Sequence, residues 1–204
     1  MEEIKQFLKS KGFTDKSIKT YLSILNKVFS KIGRNFTEEQ AENMLAYMDL
    51  SPRTYNLYRN VINFYTTKYL NYPISFTKSK VAKSLPNYVT KEEINKIIFF
   101  TKNIKHKLQL ALMYSSGLRV YEVVRLRKFN FDLDNFEISV KEAKGRKDRQ
   151  TIIRSSLILP LRKYLSNLDD SDYLFPSGGC HISERTTQEI LKKGKLNAGI
   201  KRRF

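Results

Sequence analysis

The chain has 204 residues, of which 41% are hydrophobic, and its formal net charge is +18. The hydrophobic residues recur in periodic segments, which excludes global disorder and leaves room for one large or two small domains. Because Cys180 is the single cysteine, an intrachain disulfide and a thiolate metal cluster are excluded. The basic residues are spread along the whole chain, so a polyanionic partner, nucleic acid first, is favoured over a membrane surface.

The amino terminus lacks an apolar leader-like core, and no run of the sequence approaches about 18 apolar residues. We therefore expect no membrane partner and a cytoplasmic location, nucleoid-associated if the source is prokaryotic.

Residues 1–73 carry helix start signals and nothing that alternates like a strand. Thr14 precedes a segment with one apolar helical face, and residues 37–40, Thr-Glu-Glu-Gln, form a capping-box pattern. Ser51 and Pro52 place a capping serine before a proline at the first helical position, and this helix is expected to reach about residue 70. The region is predicted to be a small all-helical domain.

Residues 74–86 contain Lys78, Lys80 and Lys83 and show little periodicity, which predicts a basic linker. The next segment opens on a second capping-box pattern at Thr90, which predicts the first helix of another domain.

The remaining chain, 87–204, mixes helices with a few strands. Residues 104–116 predict a buried helix that Gly117 interrupts, and residues 120–126 predict a short helix after it. Apolar residues then alternate between two turn-like segments, which predicts a small antiparallel β-meander with a basic tip. Two further helices are expected near residues 156–166 and 186–197.

Arg119 follows the glycine that ends the buried helix and opens the short one. That position lets a guanidinium emerge from a rigid platform, and its planar fork suits the non-bridging oxygens of a phosphate. Glu122, one helical turn later, can orient this guanidinium. The alternative is an ordinary surface pair of residues three positions apart.

Lys144 lies on the basic turn of the meander, next to Gly145. A lysine there can reach into a groove and give a proton to a departing oxygen. Considered alone, the same turn is more typical of a solvated charged hairpin.

These residues carry a resemblance to a known family. The segment 115–124, Ser-Ser-Gly-Leu-Arg-Val-Tyr-Glu-Val-Val, followed by the Lys-Gly turn, resembles the tyrosine recombinases, which include phage integrases and Xer-type enzymes. The resemblance implies a mainly α fold with a small antiparallel β-meander. It divides the chain into a helical core-binding, SAM-like domain (1–73), a basic linker (74–86) and part of an α+β catalytic domain (87–204).

The resemblance also implies roles for particular residues. Arg119 matches the first catalytic arginine, Glu122 its acidic neighbour and Lys144 the hairpin lysine that protonates the leaving 5′-hydroxyl. In the family a tyrosine attacks the phosphate and forms a 3′-phosphotyrosine link, and no metal or other cofactor is needed. The expected partner is double-stranded DNA, on which protomers can assemble, with a monomer in solution. Expected DNA contacts are Arg53, Arg59, Lys78, Lys80, Lys83, Arg146, Lys147 and Arg149.

The sequence departs from the family pattern after Gly199 and Ile200. There the pattern continues with His-x-x-Arg and later the tyrosine nucleophile, whereas residues 201–204 read Lys-Arg-Arg-Phe. His181 and Arg185 have the wrong spacing and position to replace them. The twelve tyrosines are expected on core faces or at family landmarks, and Cys180 is expected to be partly buried. The sequence therefore predicts a recombinase chain that lacks the nucleophile.

Two alternatives to that interpretation stay open. A non-catalytic DNA-binding regulator that occupies recombination sites would need the same residues. An RNA-binding protein is less favoured, because the chain has neither an RNP-like aromatic strand nor a Gly-x-x-Gly clamp loop.

Overall fold

The computed structural model describes residues 1–74, 76–82, 87–143 and 147–202. The chain divides into two compact units, Met1–Leu85 and Pro86–Phe204. It is mainly helical, with small antiparallel sheets in the second unit, which confirms the predicted fold class. Within the described part, no helix is both long and apolar enough to cross a membrane.

The first unit is helical throughout its regular structure. Thr14, Thr37 and Ser51 each accept a hydrogen bond from the backbone N–H three residues later, so the predicted helix starts are confirmed. The first helix was not predicted, because Met1 gives no side-chain cap. The helices are α1 (Glu2–Ser10), α2 (Asp15–Ile32), α3 (Glu38–Ala46) and α4 (Pro52–Phe64), with a π-helical turn (Tyr65–Tyr69) continuing α4.

The segment that follows α4 is extended and packs against that helix. Ile74 and Phe76, which lie in the predicted linker, are buried in the core of the first unit. The side chain of Asn56 makes two hydrogen bonds with the backbone of Ser79. It donates to the carbonyl at 2.9 Å and accepts from the N–H at 3.0 Å. Two apolar residues in an extended segment give no helical or strand period, so their burial could not be predicted from the sequence.

The second unit combines helices with a small three-stranded antiparallel sheet of order β1-β2-β3. Strands β4 and β5 form a separate two-stranded hairpin. The register pairs Ile138 with Thr151 and Val140 with Arg149, and it shifts between Val140 and Ala143. The elements are α5 (Lys91–Phe100), α6 (Ile104–Ser115), α7 (Val120–Arg125), β1 (Phe131–Asp132), β2 (Glu137–Ala143), β3 (Lys147–Ile152), α8 (Ile158–Leu165), β4 (Pro176–Ser177), β5 (Cys180–His181) and α9 (Glu184–Asn197).

The core of the second unit brings α9 unusually close to α5. A Cβ added at Gly194 would lie 2.9 Å from both Ile97 Cγ2 and Thr101 Oγ1, so only glycine fits at this contact. A buried polar pair reinforces the same helix, because Gln109 of α6 donates to the Thr187 hydroxyl at 2.8 Å. These contacts fix α9 to the helices that lead into the arginine-bearing turn.

Candidate phosphate-binding site

The turn between α6 and α7 ends one helix and starts the next within four residues. Gly117 adopts a φ of 58°, a conformation that side-chain-bearing residues rarely take, and the N–H of Leu118 returns to the carbonyl of Met113 at 3.2 Å. Leu118 is buried in the core and anchors the turn. Arg119 follows at once as the residue preceding α7, so its backbone is fixed on both sides.

Glu122 holds Arg119 by two separate hydrogen bonds. Its Oε1 accepts from Nη1 of Arg119 at 2.8 Å, and its Oε2 accepts from the Arg119 backbone N–H at 2.9 Å. The Glu122 side chain is only 1% exposed, whereas that of Arg119 is 58% exposed. The bond to Glu122 takes one of the five N–H donors of the guanidinium, so the exposed side chain keeps donors for a ligand.

A second arginine, Arg149 of β3, reaches the same carboxylate. Its Nη2 donates to Oε2 of Glu122 at 2.7 Å and to the carbonyl of Gly117 at 3.1 Å. Thr151, two residues along β3, donates to the carbonyl of Ser116 at 2.8 Å. Successive odd positions of a strand face one side, and here that side meets the α6–α7 turn.

The charges around Glu122 do not cancel. One carboxylate between two guanidinium groups leaves a net charge of +1, from +2 and −1. Burial by itself raises the pKa of Glu122, but hydrogen bonds from Arg149 and Arg119 outweigh it and hold the pKa of this carboxyl below its ordinary value. Glu122 is therefore ionised at neutral pH, and the exposed side of the cluster is positive and suited to an anion.

The other predicted residues are placed only in part. Arg53, Lys78 and Lys80 are exposed in the first unit, while the Nε of Arg59 donates to the carbonyl of Phe76 at 2.8 Å. Lys83, Lys144 and Arg146 lie outside the described residues, and so does the side chain of Lys147. The predicted approach of Lys144 to Arg119 accordingly stays a prediction.

Sequence reasoning treated Arg149 as one of several basic residues for DNA and missed its bond to Glu122. The available signal was the alternation of Arg149 and Thr151 on β3, which puts both side chains on one face. That signal does not say which turn the face would meet, because Glu122 and Arg149 are 27 positions apart.

The tyrosines, Cys180 and His181 lie in surroundings that differ in part from those expected from the sequence. Tyr47, Tyr72, Tyr88 and Tyr114 are exposed, so the expectation that every tyrosine lies on a core face or at a landmark is wrong for Tyr47, Tyr72 and Tyr114. Cys180 is also exposed rather than partly buried, because it lies on the short β4-β5 hairpin. His181 contacts the carbonyl of Ile182 through Nδ1 at 2.8 Å. Within the described ranges, no three His, Cys, Asp or Glu side chains are grouped to hold a metal ion.

Residues 87–204 match the family model described as "Phage integrase family". This chain belongs to that family. Two curated relatives extend the likeness over nearly the whole chain. Tyrosine recombinase XerA of Pyrococcus horikoshii is 31% identical over 210 residues, covering 98% of this chain and 73% of that protein. XerA of Pyrococcus furiosus is 30% identical over 213 residues, covering 98% and 74% respectively. The resemblance stated from the Arg119 segment is thus confirmed.

Solved structures of phage integrase and Xer recombinases share the fold. A lambda integrase dimer bound to a COC′ core site matches 98% of this chain and 80% of that chain, with a TM-score of 0.74 and 16% identity. XerH site-specific recombinase bound to difH substrate matches all of this chain and 69% of that chain, with a TM-score of 0.71 and 20% identity. The α+β tyrosine-recombinase fold is therefore established for this chain.

Proposed function

We propose that this chain binds double-stranded DNA in site-specific recombination and that Arg119 contacts the scissile phosphate. The observation that carries the proposal is the buried Glu122 carboxylate, which fixes a guanidinium whose other side is exposed. A donor held in place before the reaction stabilises the charge that develops on phosphate oxygens without paying for reorganisation in the transition state. Lys144 would protonate the leaving 5′-oxygen.

The proposed partner is supported by charge and by the solved relatives. A net charge of +18 on 204 residues favours a polyanion. The lambda integrase and XerH structures that share this fold hold a core site and a difH substrate. We propose that phosphates are also bound by basic residues of both units, namely Arg53, Arg59, Lys78, Lys80, Lys83, Arg146 and Lys147.

Duplex binding tests this proposal directly. The affinity of the 204-residue chain for a random-sequence duplex of about 30 base pairs is measured by fluorescence anisotropy at several salt concentrations. Each neutralised phosphate contributes about −0.9 to the slope of log affinity against log salt, so a steep slope is expected. Arg119→Ala should weaken binding by about 10-fold. A charge-assisted hydrogen bond contributes about 1.5–3 kcal/mol, and water that solvates the phosphate in the variant compensates for part of its loss. Binding that is insensitive to salt, or to this substitution, would contradict the proposal.

We further propose that residues 1–204 alone occupy DNA without cleaving it, as a regulator of recombination sites would. The support is chemical. Burial raises the pKa of Tyr21, Tyr65 and Tyr164, which disfavours the phenolate form that would attack a phosphate. A nicked suicide duplex traps any 3′-phosphotyrosine as a covalent adduct, and none is expected. An adduct, assigned by Tyr→Phe substitution beginning with the exposed Tyr88 and Tyr114, would refute this second proposal and leave DNA binding intact.

We also propose a monomer in solution that assembles with other protomers on DNA, as the lambda integrase dimer does on its core site. Light scattering of the chain with and without duplex should show the mass of one protomer alone and a larger assembly on DNA. A stable dimer without DNA would contradict the first half of this expectation.

A further inference from the structure

We propose that Arg149 is a positioning residue that fixes the Arg119 guanidinium through the shared carboxylate of Glu122. This inference rests on the proposed role of Arg119 at a phosphate and deepens it. It also replaces the sequence-based expectation that Arg149 itself binds DNA.

The hydrogen bonds of Arg149 leave it poorly equipped to contact a phosphate. An Nη nitrogen carries two N–H groups, and Nη2 of Arg149 gives one to Glu122 and the other to Gly117. Its Nε is buried and meets no acceptor within the described part of the chain. Among the described residues, Nη1 meets no acceptor and keeps both donors, but with Nη2 already bonded the forked, bidentate geometry for which arginine is suited is lost.

The same hydrogen bonds allow Arg149 to orient the Arg119 guanidinium through the carboxylate of Glu122. Glu122 has two carboxylate oxygens, and Arg119 uses both, Oε1 by its side chain and Oε2 by its backbone. Arg149 is the third donor and shares Oε2. Because a carboxylate is planar, anchoring one oxygen from β3 fixes the direction in which the other oxygen faces Arg119. The carbonyl of Gly117 links the same nitrogen to the turn that carries Arg119.

Arg149 and Thr151 make separate contacts with this turn, and the difference provides a matched control. Among the described residues, the Thr151 hydroxyl donates to the carbonyl of Ser116 and makes no bond to Glu122, so Thr151→Ala weakens the anchoring of β3 without touching the carboxylate. Arg154 is exposed just beyond β3, so Arg154→Gln removes a positive charge from the same region. A positioning role predicts that, of these three substitutions, only Arg149→Gln increases the mobility of the Arg119 guanidinium.

The first measurement is made without DNA. Rotation of the Arg119 guanidinium about its Nε–Cζ bond is followed by NMR exchange of its Nη groups, assigned with Arg119→Lys. Loss of an ordinary hydrogen bond corresponds to about 3- to 10-fold in rate, so Arg149→Gln and Glu122→Gln should accelerate rotation by that factor. Thr151→Ala and Arg154→Gln should leave it unchanged. Unchanged rotation in Arg149→Gln, or equal acceleration in Thr151→Ala, would overturn the inference.

The second measurement is a double-mutant cycle on duplex affinity. If Arg149 acts through Arg119, Arg149→Gln weakens binding by about 3- to 10-fold in the native chain but has little effect when Arg119 is alanine. A direct phosphate contact would instead give additive effects and reduce the salt slope by about 0.9. Additivity therefore overturns the inference. An Arg119→Ala variant that binds normally would refute the proposed function, while the rotation measurement would still decide the role of Arg149.

A conservative variant keeps the test valid if Arg149→Gln does not fold. Arg149→Lys retains the charge but offers a compact ammonium in place of the fixed fork. Rotation of Arg119 should lie between the native and Glu122→Gln rates. A native rate in Arg149→Lys together with a native rate in Glu122→Gln would exclude positioning by this carboxylate.

Discussion

In the first unit, helices begin at residues whose side chains accept a hydrogen bond from the backbone N–H three positions later. In the second unit, the site around Arg119 joins segments that are far apart in the sequence. Thr14 caps α2 through Ser17, and Ser51 caps α4 through Thr54. In the second unit, Glu122 and Arg149 are 27 positions apart, and Arg202 and Glu93 are 109 apart. Local signals therefore determine where helices start, but the orientation of the Arg119 guanidinium also depends on tertiary packing.

The largest effect is expected where that packing encloses a charge. Glu122→Ala leaves two guanidinium groups facing each other without the carboxylate between them, and it should lower the free energy of unfolding by about 3 kcal/mol. This value is at the low end for a broken buried pair because Arg119 is half exposed and can be solvated. Urea unfolding followed by circular dichroism measures it. Glu42→Ala, on the exposed face of α3, should change stability by less than about 0.5 kcal/mol. Equal effects of the two substitutions would remove the contrast.

The contact of α9 with α5 should show the next largest effect. Gly194→Ala gains up to about 1 kcal/mol of helix propensity, but the new Cβ would meet Ile97 and Thr101 at 2.9 Å. Ile97 is fully buried and the Thr101 hydroxyl already donates to the Ile97 carbonyl at 2.7 Å, so neither moves cheaply. Overpacking of about 1–3 kcal/mol should exceed this gain, so the protein should be destabilised by up to about 2 kcal/mol in the same assay.

The matched control for this contact is Leu196→Ala, which lies two residues further on α9 with an exposed side chain. It should change stability by less than about 0.5 kcal/mol. Stabilisation by Gly194→Ala would mean that α5 and α9 can separate without cost, and that this tertiary contact is weaker than the structure indicates.

A smaller effect is expected from the local signals of the first unit. Thr14→Ala and Ser51→Ala each remove the acceptor for one backbone N–H, which should cost about 1 kcal/mol. Ser30→Ala removes a hydroxyl that donates to the Lys27 carbonyl near the end of α2 and caps no helix start, so it should change little. If the three substitutions were equally mild, the capping geometry would not explain where these helices begin.

The same contrast explains how much could be predicted from the sequence. The helix starts at Thr14, Thr37 and Ser51 were predictable because each cap and its partner lie within four residues. Arg119 and Glu122 were predictable for the same reason, since they are one helical turn apart. The β4-β5 hairpin has only two residues per strand, too few for any period to be recognised. Arg149 could be recognised as basic, but its partner is set by the packing of β3 on the α6–α7 turn.

The smallest effect is expected for the ion pair between Arg202 and Glu93. Its contribution to stability should depend on pH. Hydrogen bonds from Arg202, with further help from the Thr90 backbone, lower the pKa of Glu93 to about 2. Nε of Arg202 donates to Oε1 of Glu93 at 2.6 Å, and its Nη2 donates to the Tyr88 carbonyl at 2.9 Å. The pair thus joins residues after α9 to the start of α5.

A carboxyl with a depressed folded-state pKa stabilises the fold above its unfolded pKa and loses that contribution as the pH falls through the folded value. For Glu93 the window runs from its ordinary value of 4.5 down to about 2. The melting temperature of the native chain should therefore fall across this range more steeply than that of Arg202→Gln, whereas Lys201→Gln should follow the native curve. Glu122 also loses its charge as the pH falls, but it does so in all three proteins, so the difference between the curves isolates the Arg202–Glu93 pair. Parallel curves for the native chain and Arg202→Gln would show that solvent screens the Arg202–Glu93 pair completely, and that the contact between residues far apart in sequence adds nothing to stability here.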